Sequence, residues 1–250
     1  CCAGCGHYQL VSEPVSYWKE VVTAAGLSQQ MRDFRTNQLN NWVSQHQLSG
    51  KLIIEVGCGA GYLLEILSGA GVQATGLEYG AAQIEAALAA GRVVRKGYIL
   101  DSGLHFDRQF DGFICINVLE HAPEPVRFLR AIRNICKPGA VGIVEVPNFQ
   151  KDIKLNKSHN LIRDHLSYFT TRTLALALHL AGFELLSLRE CWYGDDLEAQ
   201  VRVPADSPLA SWSEGTPTTK VLTQLFSAEP GRVAIWGASH QALTLIAMTR

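Results

Sequence analysis

The sequence predicts an α/β domain whose mainly parallel sheet carries helices on both faces. Three observations predict it. From residue 51 to residue 146, short apolar segments alternate with helical ones, which is the signature of βαβ units. Crossovers between parallel strands are right-handed, so the intervening helices cover both faces. A glycine turn, Glu55-Val56-Gly57-Cys58-Gly59-Ala60-Gly61, closes the first apolar segment and opens a helix. Glu78 then ends the next apolar segment about 20 residues further on, where a sheet of this kind presents an acid to a ribose.

The elements follow in order. Residues 12–50 are helical in pattern. Met31, Phe34, Leu39, Trp42 and Val43 recur near helical spacing, Ser28 is placed to cap, and Gly50 closes the stretch. Residues 52–56 read as a buried strand, and a helix over 62–68 follows the glycine turn. Strands are expected over 72–77, 93–100, 110–117 and 141–146, the second of these weakened by Arg95 and Lys96. Between them lie an alanine-rich helix over 81–90, closed by Gly91, and a helix over 125–136, closed by Pro138-Gly139. Residues 149–169 show no periodicity, and connections of that length in compact domains are commonly functional. Thr170 or Thr171 caps a helix to about residue 181, stopped by Gly182, and 183–189 and 197–203 read as a closing hairpin. Residues 204–219 are rich in Pro, Ser and Thr, a linker composition, and 231–239 read as a fresh strand and tight turn before a helix from 241.

Composition narrows the class. Of 250 residues 47% are hydrophobic and 18% charged, against a usual charged share of about 25%, which excludes disorder as the main state. Lys+Arg number 22 and Asp+Glu 23, a net charge of -1. That balance leaves no basic footprint for nucleic acid and no polybasic patch for a membrane. Apolar runs are broken well before the roughly 20 residues of a membrane span, and the first residues lack a basic-then-apolar leader. Of seven cysteines, Cys58, Cys115, Cys136 and Cys191 are scattered in apolar surroundings. Free buried thiols of this kind point to a reducing compartment, the cytoplasm. Cys2-x-x-Cys5, followed by Gly6 and His7, is one knuckle of a zinc site. Two thiolates leave a tetrahedral ion half coordinated.

The glycine turn identifies its ligand by what it lacks. Glycines permit tight backbone angles and close approach. Here Tyr62 takes the third glycine place of a dinucleotide-binding GxGxxG, which disfavours a pyrophosphate packed on the helix. Glu55, two residues before the glycines, would repel a phosphate and suits a cationic ligand. A ribose, a positive charge and no pyrophosphate describe S-adenosylmethionine. On Glu55–Gly61 as ExGxGxG, the acidic strand end at Glu78 and the segment Asn117-Val118-Leu119-Glu120-His121, residues 51–203 resemble class I SAM-dependent methyltransferases. The resemblance implies a Rossmann-like seven-stranded sheet with its last strand antiparallel. It also implies cofactor contacts from Glu55, Gly57, Gly59, Gly61 and Glu78, with Tyr98 and Ile99 flanking adenine and the backbone near Asn117 meeting the methionine part.

Three further stretches, NVLEHAPEP (117–125), VEVPNF (144–149) and RDHLSYFT (163–170), resemble the sugar C-methyltransferases. That family has a zinc-binding N-terminal domain, a SAM domain and a Rossmann-like C-terminal domain. The implied division is 1–10 as the end of a zinc-binding domain, with Cys2 and Cys5 as metal ligands, and 11–50 as a helical lead-in. A SAM-binding domain over 51–203, a linker over 204–230 and the start of a Rossmann-like domain over 231–250 follow. The chain, starting at Cys1 and stopping at Arg250, is accordingly expected to be a piece of a longer polypeptide.

Methylating carbon beside a ketone requires a base and enolate stabilisation, and histidine is the usual base at neutral pH. The family's Tyr-x-Glu-His segment corresponds to Ile162-Arg163-Asp164-His165, which places the base on His165 with Asp164 in the glutamate position. His121, at the tip of the fourth strand, is a second catalytic candidate. Tyr168 and Asn148 are weaker candidates by location. The expected substrate is a small nucleotide-linked keto sugar, with no nucleic acid or membrane partner. The same histidine, His165, could deprotonate a hydroxyl, which leaves open an O-methyltransferase acting on a small hydroxylated metabolite, and the altered Ile162 and Asp164 leave open a non-catalytic SAM-binding domain. The Rossmann-like first half also admits an NAD-type oxidoreductase, against which Tyr62 speaks.

Overall fold

A computed structural model describes residues 1–11, 13–15, 19, 27–157 and 161–205. The expected linker beyond residue 205 and the expected second domain over 231–250 lie outside the described residues. So does most of the helical lead-in before Leu27.

Helix α1 (Gln29–Gln45) begins where the sequence places its cap: the Ser28 hydroxyl accepts from the Met31 N–H. The sheet strands are β2 (Leu52–Val56), β3 (Gln73–Glu78), β4 (Val94–Lys96), β5 (Phe110–Ile116), β6 (Cys136–Pro147), β8 (Glu184–Cys191) and β9 (Asp196–Arg202). Their spatial order is β4-β3-β2-β5-β6-β9-β8. Strands β2 to β6 pair in parallel, and β9 runs antiparallel to both β6 and β8. This is the Rossmann-like methyltransferase sheet. A separate two-residue ladder joins β1 (Tyr8–Gln9) to β7 (Ser167–Tyr168).

Helices α2 (Tyr62–Gly69), α3 (Ala81–Ala89), α4 (Pro125–Asn134) and α6 (Thr171–Leu180) fill the crossovers. Successive strand residues face opposite layers. Ile53 packs with Leu39, Trp42 and Leu67 from α1 and α2, whereas Ile54 packs with Leu129 and Leu174 from α4 and α6. Each of these side chains is fully buried, and complete burial of a Leu, Ile or Phe contributes roughly 1.5–3 kcal/mol.

Three expectations need correction. The third strand covers Val94–Lys96 only, because Arg95 and Lys96 are exposed on the sheet edge. Charged side chains there also discourage pairing with another chain. The fifth strand begins at Cys136 and runs through Pro138-Gly139, which therefore do not mark a helix end followed by a loop. The connection after it holds a seven-residue helix, α5 (Phe149–Leu155), with Asn148 as its cap accepting from the Lys151 N–H.

The β6–β9 register sets Glu145 opposite Glu198 in the middle of the sheet. Like charges so placed repel. Arg35 offsets the first with a two-pronged contact to Glu145, and Arg189 grips Glu198 at 3.0 and 2.9 Å. The Gln38 amide bridges the two acids at 2.9 and 2.6 Å. A charge thus sits on the buried stripe of α1 for a stated reason.

Candidate functional site

A cavity of about 580 Å3 opens beyond the C-terminal ends of β2, β3, β4 and β5. There the winding of the sheet reverses between β2 and β5, the usual ligand crevice of open α/β sheets. Glu55, Gly57, Gly59, Glu78, Tyr98, Ile99, Asn117 and His121 all line it.

The glycine turn is shaped by packing. Gly57 has φ +76°, and a Cβ there would lie 2.5 Å from the Val118 Cγ2. Gly61, which stands outside the cavity wall, opens α2 at φ +81°, and a Cβ would meet the Arg92 side chain at 2.8 Å. Arg92 in turn binds the Ala60 carbonyl and Glu65, and its guanidinium lies over the Tyr62 ring. Tyr62 therefore fills its place with a cation–π contact where a dinucleotide site would have glycine.

Glu78 is held ready by main-chain donors. Oε2 accepts from Gly59 N at 2.7 Å, and Oε1 from Tyr79 N and Gly80 N at 2.8 Å each. Three of the carboxylate's roughly four lone-pair sites are thus filled, and the one left on Oε2 can accept from a ribose hydroxyl. At the Tyr98 end the Lys19 ammonium lies 5.0 Å from the Tyr79 ring and 4.7 Å from the Tyr98 ring, and 3.4 Å from Asp101.

The inner end is acidic. Glu55 is buried, and its Oε2 has no hydrogen-bond partner. Burial, with Glu78 nearby, holds its carboxyl well above the usual range, while Arg35 and Arg92 pull it back. Asn117 sits at φ +53° with its N–H donating to the Glu145 carbonyl and its Oδ1 unpartnered. Asn adopts such angles more readily than most residues, and strain of this kind gathers at functional sites. A cradle that needs glycine, a tethered acid and orphaned acceptors at the cation end fit the nucleoside, sulfonium and ammonium groups of S-adenosylmethionine.

The histidines divide differently from expectation. His121 lines the cavity; His165 does not and stands behind it, ring to ring at 4.9 Å. His121 Nδ1 contacts the Asp164 carbonyl at 2.8 Å. A carbonyl only accepts, so Nδ1 carries the proton and Nε2 the lone pair. Burial lowers the His121 pKa below its ordinary value, so the ring is neutral at pH 7. Asp164 therefore orients His121 through its main chain. Tyr168 donates to the Ile162 carbonyl at 3.1 Å, and the Asn148 amide to the Gly194 carbonyl at 3.0 Å. Both tie loops together.

Cys2 and Cys5 sit in a tight turn in which Gly6 N donates to the Cys2 carbonyl. Main-chain N–H groups of Cys5 and Gly4 lower the Cys2 thiol pKa. Among the described residues no third Cys, His or acid joins them. The residues present do not complete a zinc site.

Arg35 lines the cavity as well and was missed. Its signal lay in α1: it shares the helix face of Gln38, Leu39 and Trp42, all buried, so it is a charge on an apolar stripe.

A family model described as a methyltransferase domain matches residues 24–188. The chain belongs to that family. This methyltransferase is 36% identical over 114 residues to a ubiquinone biosynthesis O-methyltransferase of Stutzerimonas stutzeri, covering 40% of this chain and 46% of the relative. A namesake from Erwinia tasmaniensis is 34% identical over 122 residues, covering 42% and 47%. The match thus spans about half the length of these relatives. In fold, an S-adenosylmethionine-dependent methyltransferase from Clostridium acetobutylicum superposes with TM-score 0.56 at 14% identity, over 75% of this chain and 96% of that one. One from Methanosarcina mazei gives 0.57 at 18% identity, over 66% and 98%. Among the described residues no helix is long and apolar enough to cross a membrane.

Proposed function

We propose that this methyltransferase places a methyl group on a hydroxyl oxygen of a small molecule, with His121 as the base. The observation that carries the reading is the neutral His121 imidazole on the cavity wall, whose Nε2 lone pair is unpartnered and buried 3.8 Å from Glu120 Oε1, to be uncovered as the acceptor seats. The name of the relatives, O-methyltransferases of ubiquinone biosynthesis, supports oxygen as the acceptor atom. When bound, S-adenosylmethionine supplies an electrophilic methyl group on a sulfonium.

Every other part belongs to the chain. Glu78 accepts a ribose hydroxyl through Oε2, Tyr98 and Ile99 flank adenine, and Asn117 with Glu55 faces the charged methionine end. His121 removes the acceptor's hydroxyl proton as the new C–O bond forms. Such bonds are commonly long until the reactants are seated. His165 supports His121 from behind. Seven free thiols support a reducing compartment, the cytoplasm.

One observation favours a second reading, methyl transfer to carbon of a nucleotide-linked keto sugar. The Cys2–Cys5 turn docks through β1 onto the segment that bears Asp164 and His165, in keeping with the sugar-methylating resemblance. The same histidine would then remove a proton from carbon.

The test is methyl transfer from labelled S-adenosylmethionine to phenols, catechols and keto-sugar nucleotides, with the product's methyl assigned as O-linked or C-linked by NMR. His121→Ala is expected to lower turnover about 10²–10⁴-fold while S-adenosylhomocysteine affinity stays near wild type. His165→Ala has a smaller effect. Wild-type turnover by His121→Ala would remove His121 as the base.

A further inference from the structure

Glu120 has no part in the chemistry above. Its side chain lies in the 3-10 turn Leu119–His121 and is 1% exposed. Neither carboxyl oxygen has a hydrogen-bond partner, and the His121 Nε2 stands 3.8 Å from Oε1. His165 joins them, one polar atom of each residue lying within 4.8 Å of the others. The remaining titratable neighbours are Cys115 on β5, Glu145 on β6 and Asp196 on β9. None is a cation, and among the described residues no ion pair of Lys or Arg with Glu120 is seen.

That sets Glu120 apart from the other buried acids nearby. Glu145 is gripped by Arg35 and Glu198 by Arg189; Glu55 is also raised by burial, but Arg35 and Arg92 pull it back, whereas no cation pulls on Glu120. A buried carboxyl without a partner is costly, and a neutral side chain of the same shape would avoid the cost. Burial above all, helped by Asp196 and Glu145, pushes the Glu120 carboxyl up to about 8. It is therefore protonated at neutral pH. The His121 ring, 3.8 Å from the Glu120 carboxyl, lines the cavity, which puts that carboxyl within electrostatic reach of a charge bound there.

We propose that Glu120 is a charge-specificity residue of the donor site, favouring the positively charged sulfonium over the neutral thioether left after transfer. The proposal rests on the S-adenosylmethionine reading. A positive charge in this low-dielectric corner stabilises the carboxylate, and a thioether does not. Sulfonium binding then converts the Glu120 carboxyl to carboxylate and releases one proton to the buffer. Below about pH 8 the free protein holds that proton and the complex has lost it. Sulfonium affinity therefore rises with pH, by up to about tenfold per unit, and levels off above about 8. Thioether affinity stays flat, so spent cofactor is the weaker ligand at neutral to alkaline pH.

Calorimetric titration in EDTA tests this, with S-adenosylmethionine and S-adenosylhomocysteine as probes, from about pH 6.5 to about 8.5 in paired buffers of different ionisation heat. Wild type is expected to release protons on binding the first ligand only. Glu120→Gln should lose both the release and the pH slope while binding S-adenosylhomocysteine as wild type does. Glu55→Gln should keep the slope. The proposal is overturned if wild type releases no proton, if Glu120→Gln keeps the slope, or if Glu55→Gln abolishes it. It also falls if the slope is absent in EDTA and returns with added magnesium, which would make Glu120 a metal ligand. Folded wild type that binds neither probe removes the cofactor reading itself, a separate result. The wild-type measurement alone decides the matter should Glu120→Gln fail to fold.

Discussion

Replacing Glu78 by alanine removes the acceptor on which three main-chain donors converge, at 2.7, 2.8 and 2.8 Å. Two effects should separate. Gly59 and Tyr79 line the cavity, where water can take the carboxylate's place. The stability loss should therefore stay near about 1 kcal/mol. The cofactor loses more. One ribose hydroxyl forfeits a charged acceptor, worth about 1.5–3 kcal/mol. At about 2 kcal/mol that is about 30-fold in affinity. Glu78→Gln should fall between, since its amide keeps one acceptor but turns an NH2 toward a main-chain donor. Titration with S-adenosylhomocysteine reads binding without turnover, and a melting curve of the same sample reads stability. Binding by Glu78→Ala within about threefold of wild type, a change under about 0.7 kcal/mol, with an intact melt would refute the ribose assignment.

Other expectations follow from single contacts. Gly57→Ala combines a left-handed backbone, costing about 1–2 kcal/mol, with a methyl 2.5 Å from Val118. The melting temperature should drop and Val118→Ala should restore the steric part; no recovery in the double variant would mean the turn had moved elsewhere. Arg35→Met leaves Glu145 buried without its cation, facing Glu198, and should cost about 3–5 kcal/mol in denaturant unfolding. Adding Glu145→Gln should recover much of that loss, and strict additivity of the two would count against a shared pair. For Glu120 the folded value near 8 exceeds the unfolded 4.5. Between those pH values the folded state holds more protons than the unfolded one, so Glu120 makes stability fall as pH rises. Glu120→Gln should be more stable than wild type by a few kcal/mol above about pH 8 and equal to it below about pH 4; a parallel pair of stability–pH curves would contradict this.

The sheet was legible because its strands are apolar runs punctuated by glycine, a signal set by burial on both faces. The Ser28 cap and the Glu78 strand end were legible for equally local reasons. Edge strand β4 was overextended because Val93 and Leu100 flank a charged centre, and pairing with β3 alone holds only its middle. Helix α5 was missed because seven residues give too few turns to show a period. Its start is fixed by the Asn148 cap and by Lys151, which reaches Asp195 and the Tyr193 carbonyl. The roles of His121 and His165 could not be separated in sequence. Both sit at loop positions near a sheet edge, and which one faces the cavity depends on a main-chain carbonyl forty-three residues away. Arg35 escaped for a related reason: it answers a like-charge register between distant strands. Asn117 was legible as a position, but not the backbone angle that the turn after β5 imposes on it.

The ladder between β1 and β7 has a mechanical meaning. A two-stranded ribbon so short is marginal in water by itself, so Tyr8–Gln9 and Ser167–Tyr168 depend on each other and on the packing of His7 against Phe169 and Tyr8 against Phe149. The proton on His121 Nδ1 hangs from the Asp164 carbonyl, three residues before that ladder. A pull on the first ten residues is thereby carried to an imidazole at the cavity wall without crossing the sheet. Whatever grips the Cys2–Cys5 turn holds a lever on the tautomer of His121.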